Sequence, residues 1–215
     1  MSTPEVTVVD YGVGNLLSVQ RALEHCGAKV ILTAEPEQIL AASRVLLPGV
    51  GAFANGMQAL ERLGLVAVLR QLAQQKTPLL GICLGMQLLL EESEEYGLTP
   101  GLGLIPGRVI PVSSTSTEGR SQKIPHVGWN ALVMPTIETT WNGTILQTAS
   151  PGDAVYFVHS FMAKPKNDLH LVANCLYGGI SIPAVIANGN VSGCQFHPEK
   201  SGEIGLRILR EFISQ

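Results

Sequence analysis

No stretch of this chain forms a basic stripe. Its 14 Lys and Arg are scattered among 17 Asp and Glu, for a formal net charge of −3. That surface lacks the cationic track a nucleic-acid backbone requires. Long apolar runs are missing as well. The most hydrophobic segment, Pro78 to Leu90, is interrupted by polar and glycine positions and is too short to span a bilayer. The opening residues, Met1-Ser-Thr-Pro-Glu-Val, have neither the basic flank nor the apolar core of a secretory leader. Cysteine is sparse. Cys26, Cys83, Cys175 and Cys194 stand far apart, with no C-x-x-C and no paired histidine, a pattern that argues against a zinc site and against a disulfide framework. The expected location is the cytoplasm.

What is present is apolar material in quantity. The 215 residues are 46% hydrophobic and 14% charged, enough for a substantial core and typical of a compact enzyme rather than a disordered chain. With no internal repeat and no linker, one domain over residues 1–215 is expected.

The first ninety residues alternate β-branched runs with helical patterns. Val6-Thr-Val-Val9 is a candidate buried strand, closed by the turn signal Asp10-Tyr-Gly-Val-Gly14. Asn15 can cap a helix carrying Leu16, Val19 and Leu23 on one face, with Gly27 as its stop. Lys29–Leu32 and Val45–Leu47 are the next strands. Leu60 to Gln74 is mostly helical in pattern, Pro78–Ile82 is a fourth strand, and a helix over Leu84–Glu92 should follow it. Such alternation predicts an α/β fold with a parallel sheet covered on both faces. From Gly101 to Ile186 the pattern changes to strands and turns, with a Ser/Thr-rich exposed loop at Ser113–Ser121. Ile204, Ile208 and Phe212 predict a C-terminal helix docked on the sheet.

The chemistry concentrates in Leu79-Leu-Gly-Ile-Cys83-Leu-Gly-Met-Gln87. An apolar strand runs into Cys83 and a helix follows at once, with glycines two residues before and two after. A nucleophile elbow needs this arrangement, because the sharp strand-to-helix turn leaves no room for side chains beside it. The helix N-terminus favours a thiolate, and the Leu84 N–H can donate to an oxyanion. A buried packing cysteine between two close-contact glycines is the plainer reading of the same residues. The other cysteines have no such flanks.

A base and its orienter are available in Gly193-Cys-Gln-Phe-His197-Pro-Glu199-Lys-Ser. In extended backbone, residues two apart face the same side, and Pro198 biases His197 towards that geometry. A thiol needs a base to take its proton, and the base needs a partner to hold its tautomer. His197 and Glu199 fit both roles. His25 and His170 have the look of surface or packing residues, and His126 and His159 lack a carboxylate at comparable spacing.

Gly81-Ile-Cys83-Leu-Gly-Met-Gln87 together with His197-Pro-Glu199 resembles the triad, or class I, glutamine amidotransferases. Asp10–Asn15, Leu47-Pro-Gly-Val-Gly51-Ala-Phe, Pro125-His-Val-Gly-Trp-Asn130, Tyr156-Phe-Val-His-Ser160-Phe and Phe196–Ser201 resemble the branch that feeds ammonia to a cyclase of histidine biosynthesis. The resemblance covers nearly the whole chain. It implies a flavodoxin-like fold with a mostly parallel central sheet. It implies a heterodimer with a (β/α)8-barrel cyclase that makes imidazole glycerol phosphate and an aminoimidazole carboxamide ribotide. L-glutamine is the implied substrate, and no cofactor or metal is required.

By the same resemblance, Cys83 is the nucleophile, His197 the base and Glu199 its orienter. The Val50 and Leu84 N–H groups form the oxyanion hole, with Gly49 and Gly51 permitting the Val50 peptide to turn. Gln87, Glu95, Ser160 and Phe161 hold the substrate amino acid. Asn15, His126, Trp129 and Lys200 face the partner. Plainer readings stay open for the Gly49–Gly51 segment as an ordinary turn, for Glu95 as a solvated residue of the acidic run Glu91–Glu95, and for Trp129 as core. The rival functions are a free-standing cysteine hydrolase of similar fold, a glutaminase of another amidotransferase branch, and a catalytically dead regulatory subunit.

Overall fold

A computed structural model describes residues 3–136 and 140–215. The first half runs β1 (Glu5–Val9), α1 (Leu16–His25), β2 (Lys29–Thr33), α2 (Pro36–Leu40), β3 (Val45–Leu47), α3 (Phe53–Arg62), α4 (Leu65–Gln74), β4 (Leu79–Ile82) and α5 (Leu84–Leu88). The second half runs β5 (Glu92–Ser93), β6 (Thr99–Pro100), β7 (Gly107–Pro111), β8 (His126–Ala131), β9 (Ala154–His159) and β10 (Phe161–Pro165). It closes with β11 (Leu171–Tyr177), β12 (Ile180–Asn188), β13 (Val191–Cys194) and α6 (Gly202–Ser214).

Seven strands form the central sheet in the order β11-β12-β13-β4-β3-β1-β2. The pairs β1–β2, β1–β3, β3–β4 and β4–β13 are parallel, and β11–β12 and β12–β13 are antiparallel. The sheet is therefore mostly parallel, as the alternating pattern implies. Strand alternation sorts the core onto two faces. Val8, Leu46 and Ile82 point to the side covered by α1 and α6, where Leu23, Ile208 and Phe212 meet them. Val9, Leu47 and Leu79 point to the other, against Leu60 of α3 and Leu69 of α4. Each such side chain, buried in full, contributes roughly 1.5–3 kcal/mol. Of two smaller sheets, β10-β7-β5-β6 adds Val109 and Ala163 to the core on the α3/α4 side, and β8-β9 adds Val155 and Phe157 to the core on the α1/α6 side.

Two helical expectations need correction. The Leu60–Gln74 pattern is two helices, because Gly64 adopts φ +68° between α3 and α4. The helix expected over Leu84–Glu92 stops at Leu88. A tight turn explains this: the N–H groups of Leu102, Leu104 and Ile105 take the carbonyls of Leu88 and Leu89, and Glu92 pairs with Pro100 and Arg108 in the second sheet. The Ser113–Ser121 loop is mostly exposed and is tied down, with Thr117 N–H donating to Gly178 O at 2.9 Å. Among the described residues, no helix is long and apolar enough to cross a membrane.

Candidate active site

Three neighbouring parallel strands, β3, β4 and β13, end together, and the loops leaving them converge on Cys83. This is where open α/β sheets place ligands. Cys83 itself sits at φ +54° and ψ −110°, between the last residue of β4 and the first of α5. A non-glycine residue held there stores about 1–3 kcal/mol of backbone strain. The flanking glycines make the turn possible. A Cβ on Gly85 would stand 1.9 Å from the Leu47 carbonyl oxygen, and one on Gly81 would stand 2.6 Å from the Gly85 carbonyl. The elbow is thus closed on both sides by backbone. Because α5 has only five residues, its dipole at Cys83 is weaker than the longer helix expected from the sequence would have given.

His197 arrives on the loop that follows β13. Its Nδ1 lies 2.8 Å from Glu199 Oε1, and both side chains are almost wholly buried. The two-residue spacing through Pro198 does bring imidazole and carboxylate together. Burial, the largest single influence, opposes a charge on His197. Hydrogen bonding and charge from Cys83 and Glu199 together outweigh it and push the His197 pKa up to about 10. In the resting geometry, however, His197 Nε2 is buried with no hydrogen-bond partner. The Glu199 carboxylate, 2.8 Å from Nδ1, is therefore the contact that holds the ring in place. Ser201 Oγ fixes the loop from behind, donating to His197 O at 2.6 Å and accepting from Tyr156 N–H at 3.0 Å.

Cys83 and His197 share a cleft of about 390 Å³ with Val50, Gly51, Leu84, Gln87, Glu95, Tyr96, Val158, His159, Ser160 and Phe161. Every residue expected to hold the substrate lies on its wall. Glu95 is not a freely solvated member of its acidic run, because its carboxylate accepts the Phe53 N–H at 2.6 Å at the start of α3. The larger surface groove along α4, lined by Glu61, Arg70 and Gln74, is remote from this chemistry.

The expected pair of oxyanion donors is not assembled in this structure. The Leu84 N–H is occupied by the Gly49 carbonyl at 3.3 Å. The Gly49–Val50 peptide is trans, the only cis bond among the described residues being Ile124–Pro125, so its N–H points away from its carbonyl. One peptide orientation therefore removes both donors at once. The loop is held at its base by the Tyr11 hydroxyl, which donates to Pro48 O at 2.7 Å. Gly49 must lack a side chain, since a Cβ would stand 2.6 Å from that hydroxyl and 2.9 Å from Leu84 Cβ.

The residues expected at a partner surface divide. Trp129 is 58% exposed and rests edge-on against Tyr156. Its ring reaches within 4.0 Å of where a Gly202 Cβ would be, two residues beyond the exposed Lys200. Asn15 is exposed and caps α1 by accepting the Ser18 N–H. His126 is a correction. Along β8 the side chains of Val127 and Trp129 face out, so His126 faces in, 2% exposed and stacked between Phe157 and Tyr177.

Three residues at or behind the cleft fall outside the roles expected from the sequence. His159 has no carboxylate at triad spacing. It bonds instead to His126, 3.0 Å between ring nitrogens, and to Phe161 O at 2.9 Å, with burial chiefly pushing its pKa down to about 4. Tyr96, 92% exposed, stands at the cleft mouth edge-on to Phe161. Gln195 lies hidden inside the Gly193–Ser201 motif and had no periodic or spacing signal of its own.

Comparison with known proteins gives a consistent result. The family model "Glutamine amidotransferase class-I" matches residues 7–215. The chain is 50% identical over 208 residues to "Imidazole glycerol phosphate synthase subunit HisH 1" of Legionella pneumophila strain Lens, covering 97% of this chain and 98% of the relative. It is 44% identical to the HisH subunit of a Geobacillus species, covering 97% and 96%. Among solved structures, PurLQS from Thermotoga maritima superposes with a TM-score of 0.72 at 21% identity, covering 99% of each chain, a likeness of fold.

Proposed function

The chain belongs to the class I glutamine amidotransferase family, and we propose that it hydrolyses L-glutamine to glutamate and ammonia as the glutaminase subunit of imidazole glycerol phosphate synthase, in histidine biosynthesis. Near full-length identity with HisH subunits supports the branch. One observation carries the mechanism: Cys83, strained at a strand-to-helix elbow, opens into the same cleft as an imidazole already paired with a carboxylate.

In the proposed reaction His197 takes the Cys83 thiol proton, and the thiolate attacks the substrate carboxamide carbon. The tetrahedral intermediate collapses as His197 Nε2 returns a proton to the leaving nitrogen, releasing ammonia and leaving a γ-glutamyl thioester. Water, deprotonated by His197, then cleaves the thioester to glutamate and regenerates the thiol. Glu199 holds the imidazole tautomer and balances its positive charge. Gln87, Glu95, Ser160 and Phe161 position the amino acid in the cleft.

In the resting state the oxyanion would have no donor. For turnover the Gly49–Val50 peptide must rotate, which frees the Leu84 N–H and turns the Val50 N–H inward. The proposed trigger is a (β/α)8-barrel cyclase docked on the face that carries Trp129, Lys200 and Asn15. No cofactor is needed for this chemistry.

The test is Cys83→Ala in the complex with the cyclase. Glutamine-dependent synthesis should vanish while ammonia-dependent synthesis persists. Wild-type release of glutamate by the variant refutes the nucleophile assignment.

A further inference from the structure

Behind the cleft wall, Gln195 is a fully buried polar side chain in contact with two lining residues, Cys83 and Gln87, and the mechanism above gives it no task. It is 0% exposed and lies between two groups that have one. Its Nε2 stands 3.7 Å from Cys83 Sγ, and its Oε1 accepts from Gln87 Nε2 at 3.0 Å. Amide orientation cannot be read from shape alone, so it must follow from the partners. Here the partners decide it. Gln87 Nε2 also donates to the Phe161 carbonyl at 3.0 Å, and a carbonyl can only accept. That fixes the Gln87 amide, whose N–H groups must then be met by an oxygen of Gln195. Gln195 is left with its N–H facing the sulfur. The chain of donors runs in one direction, from the cysteine back to a main-chain carbonyl. The other lone pair of that carbonyl is taken by His159 Nδ1 at 2.9 Å.

We propose that Gln195 is a further catalytic residue of this site, donating a hydrogen bond to the Cys83 sulfur in its thiolate state and holding it in line for attack. The inference rests on the reading of Cys83 as nucleophile. A neutral amide suits the task, because it stabilises the anion without offering a proton that could quench it. Its rigid anchoring means that little reorganisation accompanies charge development. Gln87, expected at the substrate, thereby acquires a second role as the support for Gln195.

The experiment is the pH dependence of Cys83 alkylation by iodoacetamide in the full-length chain, wild type against Gln195→Met and Gln195→Glu. Other titratable groups around the sulfur are His197, Cys194, Tyr11, His159 and Glu95, and all are kept in both variants. Hydrogen bonds to charged groups are the stronger class, and a long contact to sulfur takes its lower end. Gln195→Met should therefore slow alkylation at neutral pH about tenfold and move the profile about one pH unit to the alkaline side. Gln195→Glu should move it further. A wild-type profile in both variants, whatever their melting temperatures, overturns the inference.

A second measurement needs no variant at Gln195. In the wild-type protein its side-chain amide ¹⁵N resonance should titrate with the alkylation midpoint, and that titration should disappear in Cys83→Ala. An amide resonance flat through the midpoint counts against the inference equally. If alkylation is not selective for Cys83 and Cys83→Ala keeps its glutaminase, the nucleophile reading falls and this inference with it. Intact selectivity with unmoved profiles overturns this inference alone.

Discussion

Replacing Glu199 by Gln tests the base and its orienter with almost no change of shape. The Nδ1–Oε1 contact is 2.8 Å and both partners are sealed from water, with side chains 3% and 1% exposed. A hydrogen bond to a charged group in such a site is worth about 1.5–3 kcal/mol, or roughly 10- to 150-fold in rate if it is realised mainly when the imidazolium forms. The amide could do worse by turning its NH₂ towards Nδ1. That would select the wrong tautomer, which in the Ser-His-Asp enzymes costs about 10⁴ in kcat. Nothing here prevents such a turn, since Glu199 Oε2 is buried without a partner. The expected fall in kcat is therefore at least tenfold, while KM changes by less than about threefold, because an orienter acts on the transition state rather than on bound substrate. Glutamate release by the cyclase complex, saturated with the cyclase ligand, is the assay. An unchanged kcat with a raised KM refutes the argument and makes Glu199 a substrate-binding residue.

The oxyanion loop predicts a glutaminase nearly silent alone. Each missing donor costs about 10²–10³ in kcat, so the liganded complex should exceed the free chain by at least one such factor, and equal kcat values refute the loop as the switch. Trp129→Ala should weaken cyclase binding by about 2 kcal/mol, roughly 30-fold by titration calorimetry, if the indole is an interface anchor. The free chain should melt at nearly the wild-type temperature, because the ring is already more than half exposed. His197 has its pKa raised from 6.5 to about 10 in the folded chain. Its contribution to stability is therefore complete below about pH 6.5 and is lost as pH climbs through about 10. Urea midpoints across that window should fall in the wild type and fall less in Glu199→Gln.

The sheet strands and the outer helices were legible because their signals are local: β-branched runs, Asn15 as a cap, Gly27 as a stop. The elbow was legible for a related reason, since a strand-to-helix turn at a cysteine demands small neighbours close in sequence. The early end of α5 was not. Leu88 and Leu89 give up their carbonyls to N–H groups some fourteen to sixteen residues further on, and helical periodicity carries no trace of that competition. His126 falls on the buried side because Pro125–Asn130 includes an alternating strand with two faces, and only the face bearing Trp129 looks outward. The Gln87–Gln195 pairing joins residues 108 positions apart, and neither residue type announces a buried role. The bond between the Leu84 N–H and the Gly49 carbonyl depends on a single peptide plane, a degree of freedom that Gly49 and Gly51 permit but do not decide.

The order of strands in the central sheet has a consequence for how the chain comes into being. β4 leads into Cys83, and its partner on one side is β13, whose register pairs Val191 with Leu79 and Cys194 with Ile82. On a ribosome β1 to β4 emerge first, and for more than a hundred residues β4 remains an unpaired apolar edge, the kind of surface that invites aggregation. The last strand slides between β4 and β12 only near the end of synthesis, and it brings His197 with it. A truncated or stalled product therefore carries the cysteine without the histidine, and its sheet is open beside it. Such a fragment would lack the proposed base, and the closing of the sheet and the arrival of His197 beside Cys83 fall in the same step.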